Sequence, residues 1–155
     1  MANDTWATPV WLFEYAQSRF GDFDLDVCAA LDSFKCQPYY TAEDNSLVQP
    51  WAYLNWCNPP YSNIRPWVEK AALETNLGNR TVMLLPADFS TQWFKLIWEV
   101  SSEILVINKR IQFLGSPRSS SPKFASFLCL ISPEAFREEA PRVDLIDAQA
   151  LASFL

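Results

Sequence analysis

The chain has 155 residues, half of them apolar, with a formal net charge of −6 and no histidine. That length suits one domain with a proper core rather than two, and no run approaches the ~18 uninterrupted apolar residues of a membrane span. Without histidine, the usual triads and imidazole acid/base catalysis are excluded, so any chemistry must use amides, carbonyls, carboxylates or aromatic rings.

Trp6-Ala7-Thr8-Pro9 opens the ordered part, after a start that lacks the basic and apolar stretches of a secretory signal. A cytoplasmic protein is expected. From Val10 to Phe20 the apolar residues Val10, Leu12, Phe13, Ala16 and Phe20 follow a helical stripe, and Gly21 ends it. Residues 23–27 alternate and predict a first strand running into Cys28-Ala29-Ala30. Asp26 at its end is a candidate for holding a nucleoside cofactor, or else a helix cap or turn residue. Residues 38–41 predict a short strand, followed by the polar turn Glu43-Asp44-Asn45-Ser46, where Asp44 either accepts from a ribose or adenine donor or closes an Asx-turn.

Residues 52–57 are short, apolar and aromatic, as a buried strand should be. Asn58-Pro59-Pro60-Tyr61 then ends any pairing, because neither proline can donate to a ladder and each fixes φ near −65°. The expectation is a stiff corner at the carboxyl end of a strand, where open α/β sheets place their ligands. A helix follows, with Asn63 as its expected cap and Pro66 in its first turn, where amide protons have no helical acceptor. Gly78 ends it. The continuous apolar run 81–87 predicts a central strand covered on both faces, 91–100 a helix and 103–107 a further strand. This alternation predicts an α/β fold with a mostly parallel sheet. Residues 110–113 and 124–131 predict a hairpin-like C-terminal finish, and 144–155 a terminal helix. Between the hairpin arms, Lys109, Arg110, Arg118, Ser119 and Lys123 make a locally basic, hydroxyl-rich stretch on an acidic chain. Such groups suit phosphate contacts; a merely solvated loop is the alternative. Negative net charge counts against tight nonspecific DNA binding without excluding it. The cysteines Cys28, Cys36, Cys57 and Cys129 are scattered, so no metal is expected.

The corner at Asn58 suits one uncommon reaction. The exocyclic amine of adenine is a poor nucleophile because its lone pair is delocalised into the ring. If the Asn58 side-chain oxygen and the Pro59 carbonyl accept its two hydrogens, the nitrogen becomes pyramidal and its lone pair points outward. No general base is needed before attack. Tyr61 would stack on the base, as flipped bases are usually gripped, and the electrophile would be the methyl of S-adenosylmethionine. The alternative is that Pro-Pro-Tyr is simply a rigid loop.

Successive motifs over nearly the whole chain carry a family resemblance: Trp6-x-Thr8-Pro9, Phe23-x-Leu25-Asp26-Val27-Cys28-Ala29, Tyr39-Tyr40-Thr41-x-Glu43-Asp44, Asn58-Pro59-Pro60-Tyr61-Ser62, Met83-Leu84-Leu85-Pro86-Ala87 and Arg110-Ile111-x-Phe113. The chain resembles the phage-type, Dam-like DNA N6-adenine methyltransferases. The resemblance implies a compact, Rossmann-like single domain, S-adenosylmethionine as methyl donor and adenine in double-stranded DNA as acceptor. It also implies action in a host cell's cytoplasm, as monomer or homodimer, with GATC as the first target sequence to test. By carry-over, Thr8 and Pro9 border the donor's methionine end, Trp6 also contacts the donor, Asp26, Cys28 and Ala29 line its pocket, Asp44 holds its adenosine and Asn58 touches both partners. The Gly-rich turn of larger methyltransferases is replaced here by Cys28-Ala29-Ala30. Only about thirty residues separate Asp26 from Asn58, so one of the two strand–helix units expected there is reduced. Competing readings are a methyltransferase of this fold acting on RNA or a protein nitrogen, and a noncatalytic donor- or DNA-binding relic.

Overall fold

The computed structural model describes residues 7–115 and 124–152. Helix α1, Val10–Phe20, has the expected bounds, and Gly21 closes it at φ 101°, a conformation only glycine adopts without strain. Strand β1 is just Leu25–Asp26, β2 is Leu54–Cys57, and helix α2 is Arg65–Glu74. Strand β3 is Arg80–Pro86, α3 is Gln92–Val100, β4 is Ser101–Ile107 and β5 is Ser126–Ile131. The chain continues through β6, Arg142–Ile146, and α4, Ala148–Ala152.

The strands form one sheet in the order β1-β2-β3-β5-β4-β6. Alternate residues of the buried run in β3 serve opposite faces. Val82 and Leu84 join Leu12, Phe13 and Ala16 of α1 in one core. Met83 and Leu85 join Val68 and Ala71 of α2 and Ile97 of α3 in the other. Helices therefore cover both faces, which is why this strand is apolar without interruption.

Four expectations need correction. The sheet is mixed rather than mostly parallel: β1–β2, β2–β3 and β4–β6 are parallel ladders, while β5 runs antiparallel to both β3 and β4. Residues 110–113 are not a strand, so the hairpin partner of β5 is β4. Ile111 and Phe113 are nevertheless buried, which is what their alternation encodes. The expected terminal helix from residue 144 is instead β6 with only the short α4 beyond it, because pairing with β4 recruits Arg142–Ile146 into the sheet. Finally, Ile64 rather than Asn63 precedes α2; the Asn63 amide donates to the Pro60 carbonyl at 3.1 Å.

Between β1 and β2 the described chain has two 3-10 turns, Ala42–Asp44 and Ser46–Val48, and no α-helix. What remains of a further strand is a single parallel bridge, Asp26 to Tyr39, with Tyr40 N–H donating to the Asp26 carbonyl at 2.9 Å. The expected reduction is thus a long loop laid along the free edge of β1.

Candidate active site

Strands β1 and β2 are parallel neighbours, with Asp26 opposite Trp56. Their carboxyl ends therefore bring Asp26 and Asn58 to the same end of the sheet, the end at which open α/β sheets bind ligands. A cavity of about 710 Å³ opens there. Thr8, Asp26, Cys28, Ala29, Asn58 and Pro60 all line it.

Asp26 is 2% exposed. Burial pushes its carboxyl up to about 6, while hydrogen bonds from the backbone amides of Lys35 and Cys28 pull the other way. Its Oδ2 accepts from Lys35 N–H at 2.9 Å and its Oδ1 from Cys28 N–H at 3.2 Å. The carboxylate so fixes both ends of the loop that roofs the cavity, and a carboxylate with about four acceptor positions retains capacity beyond those two bonds.

The corner itself is braced. Trp56, the last large residue before it, packs its ring edge-on against Phe13 and Phe23. The Asn58 carboxamide donates from Nδ2 to Thr8 Oγ1 at 3.2 Å. The Pro60 carbonyl accepts from the Asn63 amide at 3.1 Å, which closes the turn behind the corner. The Tyr61 hydroxyl donates to the Leu84 carbonyl at 3.1 Å, and its ring meets Phe113 and Phe124 at steep angles. Burial pushes this phenol well above its ordinary range, so it stays neutral.

Other candidates stand elsewhere. Asp44 is exposed and outside the cavity wall; its Oδ2 accepts from the Thr41 amide at 2.7 Å and the Thr41 hydroxyl at 3.2 Å, closing a capping box. Its side chain therefore does the turn-closing job. Pro9 and Pro59 are buried beside Thr8 and Asn58 without lining the cavity, and Tyr61 also lies outside its wall. Lys109 and Arg110 are exposed just past the carboxyl end of β4, at the same end of the sheet as Asn58. Trp6, Arg118, Ser119 and Lys123 lie outside the described residues.

The cavity also uses residues that motif reading passed over. Lys35, Asn45, Ser46 and Trp67 line it, together with the buried Trp56. Trp67 had a legible signal, since it falls in the first turn of the helix that leaves the Asn58 corner. The loop residues had none, because contacts between separated positions place them, such as Lys35 N–H to Asp26 and the Trp51 indole N–H to Ser46. The buried thiols of Cys57 and Cys129 are pushed up, Cys129 to about 12, which keeps them protonated and apolar in character. Among the described residues no His, Cys, Asp or Glu cluster could hold a metal ion, and no helix is long and apolar enough to cross a membrane.

A family model described as DNA N-6-adenine-methyltransferase (Dam) matches residues 1–148. The chain belongs to that family. It is 44% identical over 118 residues to the DNA N-6-adenine-methyltransferase of Haemophilus phage HP1, covering 74% of this chain and 68% of that one. It is 38% identical over 107 residues to the DNA N-6-adenine-methyltransferase of Escherichia phage T1, covering 68% of this chain and 45% of that one. No solved structure matches.

Proposed function

We propose that this adenine-specific DNA methyltransferase takes its methyl group from S-adenosylmethionine and places it on the exocyclic amine of an adenine flipped out of double-stranded DNA. The observation that carries the reading is Asn58, first residue of Asn-Pro-Pro-Tyr, standing in the wall of the same cavity as the buried carboxylate of Asp26. A mixed α/β sheet with helices on both faces and its cavity at the strands' carboxyl ends supports a Rossmann-like arrangement as the finer description.

The residues present suit the donor. A cavity of about 710 Å³ lies within the usual range for small-molecule sites. Trp67, Ala29 and Ala30 give it apolar surface for a purine and ribose, while Asp26 and Lys35 offer opposite charges to an amino-acid end. When bound there, the donor supplies an electrophilic methyl carbon. Asn58 Oδ1 and the Pro59 carbonyl hold the hydrogens of the target amine and favour a pyramidal nitrogen. The neutral amine sheds its proton after attack, which suits a chain with no histidine. Tyr61 grips the base by stacking, its ring steadied by Leu84, Phe113 and Phe124. Lys109, Arg110 and the basic residues Arg118 and Lys123, with Ser119, meet backbone phosphates.

The test is transfer of labelled methyl groups to DNA, RNA or protein, followed by nucleoside analysis and digestion with methylation-sensitive nucleases. Label in DNA as N6-methyladenine is the expected result. Label confined to RNA or protein overturns the acceptor, and no calorimetric heat with S-adenosylmethionine overturns the donor.

A further inference from the structure

We infer that Thr8 is a positioning residue for Asn58: its hydroxyl accepts from the carboxamide nitrogen and turns the carboxamide oxygen toward the target amine. This deepens the reading above and rests on it. The terminal torsion of an asparagine side chain is broad, so an acceptor oxygen mounted on it needs an outside partner to hold its direction. Asn58 Nδ2 donates to Thr8 Oγ1 at 3.2 Å across fifty positions of sequence. Because the nitrogen end faces Thr8, the oxygen is the end directed away from it.

Thr8 is itself held on both sides. Ala7 exchanges two backbone hydrogen bonds of 2.9 Å with Leu114. The Pro9 carbonyl accepts from Leu12 and Phe13 at the start of α1, at 3.2 and 3.3 Å. Between these anchors Thr8 is 1% exposed, yet it forms part of the cavity wall. A buried hydroxyl on a backbone pinned one residue before and one residue after is a fixed reference for a rotatable amide. Sequence resemblance places Thr8 against the donor; the geometry adds the catalytic amide as a group it serves.

The test compares Thr8→Val, which replaces the hydroxyl by a methyl of similar size, with Thr8→Ser, which keeps it. Single-turnover methylation of a DNA duplex is measured with saturating S-adenosylmethionine, and donor affinity by calorimetry. Thr8→Val should slow the rate about ten- to a hundredfold, the scale of a small misplacement of a reacting group, with donor Kd and DNA KM within about twofold. Thr8→Ser should recover to within about threefold of the native rate. In an Asn58→Ala background Thr8→Val should cost nothing further, since the group it positions is gone. A Thr8→Val rate above about half the native value overturns the inference, as does a loss appearing mainly in donor affinity. Thr8→Ser as slow as Thr8→Val also overturns it, as does an undiminished loss in the Asn58→Ala background. If Thr8→Val does not melt cooperatively, Thr8→Ala is read by the same criteria, and Thr8→Ser still tests the hydroxyl. Equal rates for native and Asn58→Ala protein would instead sink the proposed mechanism, a separate outcome.

Discussion

Two asparagines three residues apart do opposite jobs. Asn55 is wholly buried: its Nδ2 donates to the Ala52 and Arg80 carbonyls, each at 2.9 Å, and its Oδ1 accepts from the Ala52 amide at 2.8 Å. Its polar capacity serves the strand ends. Asn58 is only partly buried and reaches a cavity. Asn58→Ala should therefore leave donor Kd within about twofold while lowering turnover by about 10²–10³, the scale for removing a group that acts on developing charge. Calorimetry and single-turnover kinetics read the two quantities separately. Asp26 carries a pH dependence. Its folded-state value of about 6 lies above the ordinary 3.8, so protonation favours the native state, and that contribution is full below pH 3.8 and lost as pH rises through about 6. Donor affinity should run the other way, because the ionised carboxylate is the better acceptor and the partner for a cationic ligand. Calorimetric titration with S-adenosylmethionine from pH 7.5 down to about 5 should show weakening through about 6, and Asp26→Ala should flatten that trend.

At the level of elements, the loop between β1 and β2 separates what local sequence encodes from what it does not. Asp44→Ala should lower stability by about 1 kcal/mol, as for loss of a capping side chain, and leave donor Kd within a few-fold. A large loss of donor affinity in that variant would make Asp44 a donor-binding residue as well as a cap. Helix α1 was legible to the residue because its apolar spacing and Gly21 are local signals. Helix α3 was legible to within one residue: expected from Thr91, it starts at Gln92, with the Thr91 side chain capping it by accepting from Phe94 N–H at 3.3 Å. Strand β3 declared itself by an unbroken apolar run. Strand β6 did not: Val143 and Leu145 are 57% and 55% exposed, so burial leaves no signature, and only pairing with β4 about forty residues earlier makes the segment a strand. The direction of β5 was equally hidden, since an apolar run says nothing about which neighbour it joins. Of the site, the Asn58 corner and Asp26 were readable because strand ends and prolines are local features. The roof of the cavity is assembled by contacts from Asp26 to Lys35 and from Trp51 to Ser46, which no local pattern announces.

For the whole molecule, an acidic chain must present its cations selectively to bind a polyanion. Arg19 and Arg142 pair with Glu103, Arg65 with Glu69, Lys70 with Glu74 and Lys95 with Glu99. Those cations are matched by carboxylates of the same chain. Lys109 is exposed just past the carboxyl end of β4, at the same end of the sheet as Asn58. Lys109→Ala and Arg118→Ala should each weaken DNA binding evenly across sequences and reduce the salt slope by about 1, read by fluorescence anisotropy over a salt series. An unchanged slope would make that residue a bystander.

Strand β5 has a consequence for how the molecule comes into being. It fits between β3 and β4, with six matched positions on one side and five on the other. Until it arrives, the leading half and the trailing half have no shared border in the sheet. A ribosome that has released everything up to β4 has thus produced two unfinished rims rather than a smaller version of the enzyme. Closure waits for a segment synthesised late and inserted against the prevailing direction, a non-local pairing of the kind that slows folding.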